Sequence, residues 1–517
     1  MVSTRSRGAA GPIAAATIAL LGGIASCGLN SHGAVESGSS TASGASTASG
    51  TTTSTASGAS TAGSGGATTA SSAGSGGAST TSATGTGGSP VGHAPGDFAL
   101  YYGEGTSPTP LVRTWNHSAS TWSASSPTLS AGATIKWVAA PERLAATEMF
   151  LALSDTGNGT SLDLLRRSGA AWVNDWSTTS ISSSRANDRG FDVELEASSG
   201  DALAVYSNND ATPHYRTRTG GTWSTPASVP GVPGGSGTVL WVDLVSRPGT
   251  DEIALFYSDS SNNLVVLIWN GAARGASMTL ETHLNTTDYL NFGGAYESVS
   301  GDLLAIWGGQ NAGGAGALGA YSATKPAGSN TWTPSGQLPF PFNRPGPLKL
   351  ASEPGGNRIA LAYLEYTCGG MSCDDFDVAV WDGAQWQDAT RLDPNINVPY
   401  SSYPGAIPVD LAWVGASGQV VAVYTAPGAG LNWATWTQSN HWNLQPMAGA
   451  APPLKQRVNV RALSVPNQGK VMFLIGDMTG ALFAKSYDGT SWTDLGPTLE
   501  ANLSSLPAGP FAATVKQ

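Results

Sequence analysis

The side chains with which this chain could do chemistry are first of all acidic. Glu194, Asp243, Glu297 and Asp410 each lie in or beside a short apolar run, such as Phe191-Asp-Val-Glu-Leu195 or Val239-Leu-Trp-Val-Asp-Leu244. Two carboxylates facing each other across a pocket are what acid–base cleavage of a glycosidic bond requires. Spacing along the chain does not set their distance in space, and a solvated or turn role is the first expectation for each. The six histidines, at positions 32, 93, 117, 214, 283 and 441, are too scattered to form a zinc pair at ligand spacing. The folded part has no convincing Gly-x-Ser-x-Gly elbow and no phosphate loop. No catalytic residue, metal ligand or cofactor is therefore assigned. The loop Asp374-Asp375-Phe-Asp377 has the carboxylates to take Ca²⁺, although a solvated acidic loop is the plainer reading.

Aromatic side chains are the second resource. An open Trp face can take the apolar side of a sugar ring. Trp122, Trp172, Trp223, Trp332, Trp386, Trp442 and Trp492 recur after short turns and are assigned a structural role. Trp137, Trp241, Trp413 and Trp436 fall outside that series, as do Trp176 and Trp433. The first four, with Arg216 and Arg218, are the ligand-binding candidates.

The elements that must position these residues repeat. Similar apolar runs begin at Phe98, Met149, Leu203, Ile253, Leu303, Ile359, Val420 and Val471, between 50 and 61 residues apart. A short run precedes the main one, an alternating run follows it, and then comes a turn ending in Trp. Examples are Ser168-Gly-Ala-Ala-Trp172, Thr219-Gly-Gly-Thr-Trp223, Asp382-Gly-Ala-Gln-Trp386 and Asp488-Gly-Thr-Ser-Trp492; the fourth unit carries Asn270-Gly-Ala-Ala-Arg274 instead. Gly after Asp, Asn or Ser supplies the positive φ of a tight hairpin. Four strands per unit at this period predict an all-β, eight-bladed β-propeller over residues 97–517. The first unit lacks a strand before Phe98, and Pro510-Phe-Ala-Ala-Thr-Val515 is left over at the end, so the C-terminal strand is expected to complete the first blade. Two consecutive sandwiches are the competing architecture, but a sandwich has no reason to repeat one hairpin Trp.

The first 96 residues read differently. Arg5 and Arg7 precede an apolar run from Pro12 to Ile24, and Ala25 and Ser26 precede Cys27. This is the layout of a signal peptide over residues 1–26, too short to span a bilayer comfortably. Ile24-Ala25-Ser26-Cys27 resembles the lipobox of bacterial lipoproteins. That resemblance implies acylation of Cys27, a cell-envelope location and a membrane partner through the lipid. Gly28 in place of an aspartate points to an outer-membrane lipoprotein facing periplasm or exterior. Residues 27–96 are then the lipidated cysteine and a tether of Ser, Thr, Gly and Ala, with too little apolar bulk to offset the entropy of ordering. An oxidising compartment also makes a Cys368–Cys373 disulfide plausible.

With a formal net charge of −11 and no Lys/Arg cluster, the chain has no means of holding a phosphate backbone, so nucleic acid is excluded as a partner. A monomer is expected. The segment Ser486-Tyr-Asp488-Gly489-Thr-Ser-Trp492 resembles the Asp-box of sialidase-type propellers, one residue shorter, and in those families the box is structural. Phe342-Asn-Arg-Pro345 differs from the Phe-Arg-Ile-Pro of sialidases. The Trp-rich blades also resemble those of fucose-binding propeller lectins, which implies sugar pockets between blades built from Trp or Tyr, Arg and Glu. His214, Arg216 and Arg218 of one unit correspond to Leu264 and Val266 in the next, so eight equivalent pockets are not expected and one or two are. The expected function is a surface-anchored, non-enzymatic module binding carbohydrate or protein. The alternatives are a carbohydrate-active hydrolase or lyase acting at the channel mouth and an envelope scaffold.

Overall fold

A computed structural model describes residues 93–144, 147–155, 160–179, 188–229, 237–285, 289–310, 318–339, 345–366, 374–396, 407–424, 431–448, 457–504 and 509–517. Cys27, Cys368, Cys373, the signal segment and nearly all of the tether lie outside these residues. The described strands make eight antiparallel sheets, each an ordered run of four, two of them with a further two-residue strand at the rim. These are the blades of a β-propeller. Blades 2 to 8 open on the inner strands Thr134–Ala139, Phe191–Leu195, Val239–Ser246, Phe292–Tyr296, Pro345–Ser352, Val409–Trp413 and Arg457–Val465.

Blade 1 is closed from the other end of the chain. Phe511–Val515 forms its inner strand and pairs in full register with Phe98–Tyr102, from Phe98 opposite Val515 to Tyr102 opposite Phe511. The ladder continues outward, Gly96 N donating to Lys516 O and Lys516 N to Asp97 O, each at 2.8 Å. Each inner strand touches the next, all the way round the ring. Closure leaves no inner edge open to foreign strands.

The repeated apolar runs supply the second strand of each blade because a strand covered on both faces must be apolar throughout. Phe98–Tyr102, Ala202–Tyr206 and Val420–Tyr424 are buried along their whole length. Burial is organised in layers between blades: one apolar cluster joins blades 6 and 7, another blades 8 and 1, another blades 1 and 2.

The hairpin tryptophans stand at those layers. Trp172 packs edge-on against Tyr101 of blade 1 and Phe150 of its own blade, with centroids 6.1 and 5.4 Å away. Trp223 donates its indole N–H to Asp175 of blade 2 at 2.9 Å, Trp386 donates to Ser322 of blade 5 at 3.2 Å, and Trp492 packs on Trp433 of blade 7 at 5.3 Å. Trp332 and Trp442 are buried in the same kind of layer, and Trp122 lies against Trp115. In blade 4 the substituted Arg274 does equivalent work, its guanidinium 5.6 Å from the Tyr215 ring of blade 3 and its Nη1 donating to that hydroxyl at 2.9 Å. The turns before these residues take the positive φ expected at Gly383 (99°) and Gly489 (93°). Asp488 receives the backbone N–H groups of Ser491 and Thr490, which holds its carboxyl well below the usual range.

Candidate functional site

Strand register places eight residues at equivalent positions on the inner strands: Val138, Asp192, Asp243, Gly293, Lys349, Asp410, Arg461 and Ala512. Five of the eight are charged. The six from Asp192 to Arg461 face a channel cavity of 510 Å³, together with Arg189, Glu142 and Glu194. Three of the four acidic residues singled out in the sequence, Glu194, Asp243 and Asp410, do line the channel.

Two ring carboxylates bind neighbouring blades together. Asp192 accepts from Val193 N with one oxygen and from Leu244 N of blade 4 with the other, both at 3.0 Å. Asp410 repeats the device with Leu411 N at 2.9 Å and Ala462 N of blade 8 at 2.8 Å. Glu194 likewise accepts from Leu195 N at 2.9 Å and from Glu142 N at 3.1 Å. Burial pushes the Glu194 carboxyl up to about 8, reinforced by the charge of Glu142. Burial also raises Asp192 to about 6, against the opposing pull of Arg189. Arg189 Nη2 reaches Asp192 at 3.4 Å and Asp243 at 3.2 Å, and Arg461 Nη2 reaches Glu142 at 3.0 Å. Lys349 has no hydrogen bond or ion pair to any described residue; burial and the neighbouring Arg461 lower its pKa.

Glu297 does not join this ring. It lies at the turn after the blade 5 inner strand, where it accepts the indole N–H of Trp381 from blade 6 at 2.8 Å and the Ser300 hydroxyl at 2.6 Å. Glu196 does the same for Trp269 at 2.7 Å. These are latches between blades.

The tryptophans proposed for ligand stacking are in the core. Trp137 (1% exposed) and Trp241 (0%) pack edge to face at 5.9 Å, as do Trp413 (0%) and Trp436 (2%). Their faces are covered by neighbours, and Arg358 lies 5.2 Å from both of the latter rings. Burial leaves none of the four a face for a sugar. Arg216 is spent on covering Trp176 at 5.1 Å and on the Ser224 carbonyl at 3.1 Å, while Arg218 is half-buried on the same strand. Asp374–Asp377, read as a loop in the sequence, opens the strand Asp374–Trp381, and the Ca²⁺ reading also meets a cation already in place: Arg391 contacts Asp375 at 2.8 Å, Asp377 at 3.3 Å and also Glu365. Among the described residues no group of three or more His, Cys, Asp or Glu is arranged to hold a metal.

A second cavity, of 470 Å³, lies between blades 8 and 1, where the ring closes. Trp115 and Trp122 form one wall with centroids 5.4 Å apart, and Trp122 is only partly buried. Arg113 and His117 flank them from blade 1, while Lys470 and Asp494 face them from blade 8. Arg113 is held in place by the Tyr102 hydroxyl at 3.2 Å and the Ser123 carbonyl at 3.2 Å. Trp122 belongs to the structural hairpin series, so nothing local marks it as different. Trp172, Trp223, Trp386 and Trp492 are likewise only partly buried, so what distinguishes Trp122 is the cavity beside it.

No family model matches the chain. No curated protein sequence matches it either. Similar solved structures include the BP39L lectin from Burkholderia pseudomallei, 15% identical with a TM-score of 0.47 over 71% of this chain and 98% of that one. The β-propeller domain of the Trilobed protease from Pyrococcus furiosus is 9% identical, with a TM-score of 0.38 over 70% of this chain and 98% of that one. A fucose-specific lectin from Aleuria aurantia is 13% identical, with a TM-score of 0.33 over 60% and 95%. Likenesses of this grade carry no functional argument, which has to come from the geometry.

Proposed function

We propose that this chain is a carbohydrate-binding module, carried on lipid at Cys27 and displayed on the 27–96 tether at the outer membrane. The observation that supports it is the groove between blades 8 and 1. It pairs a partly exposed Trp122 with Arg113, held by Tyr102 and Ser123, and with His117, Lys470 and the Lys485-paired Asp494 in a space of 470 Å³, within the range of small-ligand sites, about 300–1,000 Å³. An aromatic face beside directional donors and acceptors suits a ring with one apolar side and a rim of hydroxyls.

The test is a glycan array probed with the lipid-free Cys27→Ala chain, run beside an assay for released reducing sugar. Saturable binding that Trp122→Ala and Arg113→Ala each weaken at least about tenfold, roughly 1.4 kcal/mol, supports the reading. Binding indifferent to both substitutions, or no binding, overturns it. Detergent-phase partitioning of the native chain, abolished by Cys27→Ala, checks the anchor.

A hydrolase at the channel mouth has one observation in its favour: Glu194, pushed up to about 8, keeps its proton at neutral pH beside Asp192, as a general acid would. Against it, both Glu194 oxygens lie against backbone N–H groups. Sugar release lost in Glu194→Gln would favour this second reading.

A further inference from the structure

The run of charged ring residues from Asp192 to Arg461 is interrupted once. Between Asp243 and Lys349 stands Gly293, so the arc there has no side chain. A Cβ on Gly293 would sit 3.8 Å from Asp243 Oδ2 and 3.5 Å from Leu348, ordinary contact distances, so the glycine is not demanded by crowding or by a positive φ. The gap is flanked by opposite charges. Asp243 Oδ1 is taken by Arg189 at 3.2 Å, and its Oδ2 faces the gap. On the far side the Lys349 ammonium faces the same 510 Å³ cavity with no hydrogen-bonded partner among the described residues.

Lys349 is half-buried at the channel wall and takes no hydrogen-bonded acceptor from the described fold, so no contact between blades requires an ammonium there. Alanine and valine occupy the ring in blades 1 and 2, and every other charge in it has a direct partner. A simple anion on Lys349 at the gap would meet Asp243 Oδ2 on the opposite flank. A neutral polyol would use neither the ammonium, on which Asp410 and Asp243 act without a hydrogen bond, nor the free carboxylate oxygen. A ligand with one charge of each sign answers both objections.

We propose that the gap at Gly293 is a second binding site, for a small free zwitterion that sets its carboxylate on Lys349 and its ammonium on Asp243 Oδ2. The ligand class is then the amino acid, short peptide or amino-sugar acid, which carries both charges on one small molecule. The site is independent of the groove between blades 8 and 1, and its test involves no glycan.

Calorimetric titration of the Cys27→Ala chain with glycylglycine at neutral pH and low salt provides that test, with acetate and ethylamine as one-ended probes. Saturable glycylglycine binding is expected, with each one-ended probe at least about tenfold weaker, since either forfeits one charge-assisted contact. Lys349→Met removes the ammonium, and Gly293→Val fills the gap while leaving every charge in place. Both should weaken glycylglycine at least about tenfold with melting temperature and circular dichroism retained, whereas Lys349→Arg should hold most of the affinity. Absence of saturable binding to the wild-type chain, equal binding by a folded Lys349→Met chain, or acetate binding as tightly as glycylglycine would each overturn the proposal.

Discussion

Replacing Arg391 by Met tests how blade 6 tolerates three carboxylates at one place. Arg391 lies on the rim strand Trp386–Ile396 and reaches inward to Asp375, Asp377 and Glu365, of which Glu365 and Asp377 are fully buried. Burial raises the Asp377 carboxyl to about 8 even with the guanidinium opposing it. Methionine keeps the apolar stem and removes the cation. Breaking a buried ion pair from one side costs about 3–5 kcal/mol. Unfolding entropy of about 2.1 cal/mol/K per residue, over roughly 420 residues, gives about 0.9 kcal/mol/K, so the melting temperature should fall by about 3–6 °C if unfolding is cooperative.

The pH dependence of that loss has a definite sign. Without Arg391 the Asp377 pKa rises further, and an acid whose folded pKa exceeds its unfolded value costs stability above the folded pKa and nothing below the unfolded one. The deficit measured by scanning calorimetry should therefore stay level from pH 5 to about pH 8 and widen above pH 8, where Asp377 ionises in the wild type and stays protonated in the variant. A drop below about 1 °C at pH 8, or a deficit that grows on acidification, would refute the reasoning.

Glu194 and Asp192, raised to about 8 and about 6, obey the same sign rule, so the wild-type melting temperature should decline between pH 5 and pH 9, and Glu194→Gln should flatten the decline. Glu196→Ala leaves the buried Trp269 indole N–H without its acceptor and should cost about 1–3 kcal/mol in urea unfolding, whereas Glu196→Gln, which keeps an acceptor, should cost less. Deleting residues 511–517 removes the inner strand of blade 1 and exposes an unpaired edge at Phe98–Tyr102; limited proteolysis should then cut within blade 1, and a chain as resistant as wild type would contradict closure by this strand.

The repeat was legible because it is carried by strands buried on both faces and by hairpins that need glycine. Phe98, Met149 and their counterparts cannot be anything but apolar, and Gly383 and Gly489 adopt backbone conformations that other residues avoid. The missing strand before Phe98 and the surplus one at Phe511 were visible as a mismatch in a count, and pairing of the two completed the first blade. The carboxylates Glu194, Asp243 and Asp410 were legible as channel residues because they interrupt inner-strand runs. Glu297 misled because it stands one residue past such a strand, where the chain has already turned towards the neighbouring blade.

Residue type and spacing along one strand therefore determined the blades, their number and how the ring closes. Which tryptophans face solvent was decided only by tertiary structure. Trp137, Trp241, Trp413 and Trp436 look free in the sequence because the side chains covering them come from other strands and other blades, while Trp122 looks like six structural counterparts yet lines an open groove. The ring from Val138 to Ala512, with its gap at Gly293 and its unpaired Lys349, is assembled from eight strands spread over nearly 400 residues of chain. Local sequence constrains a residue through its own strand, and exposure and charge pairing depend on what closure of the ring brings opposite it.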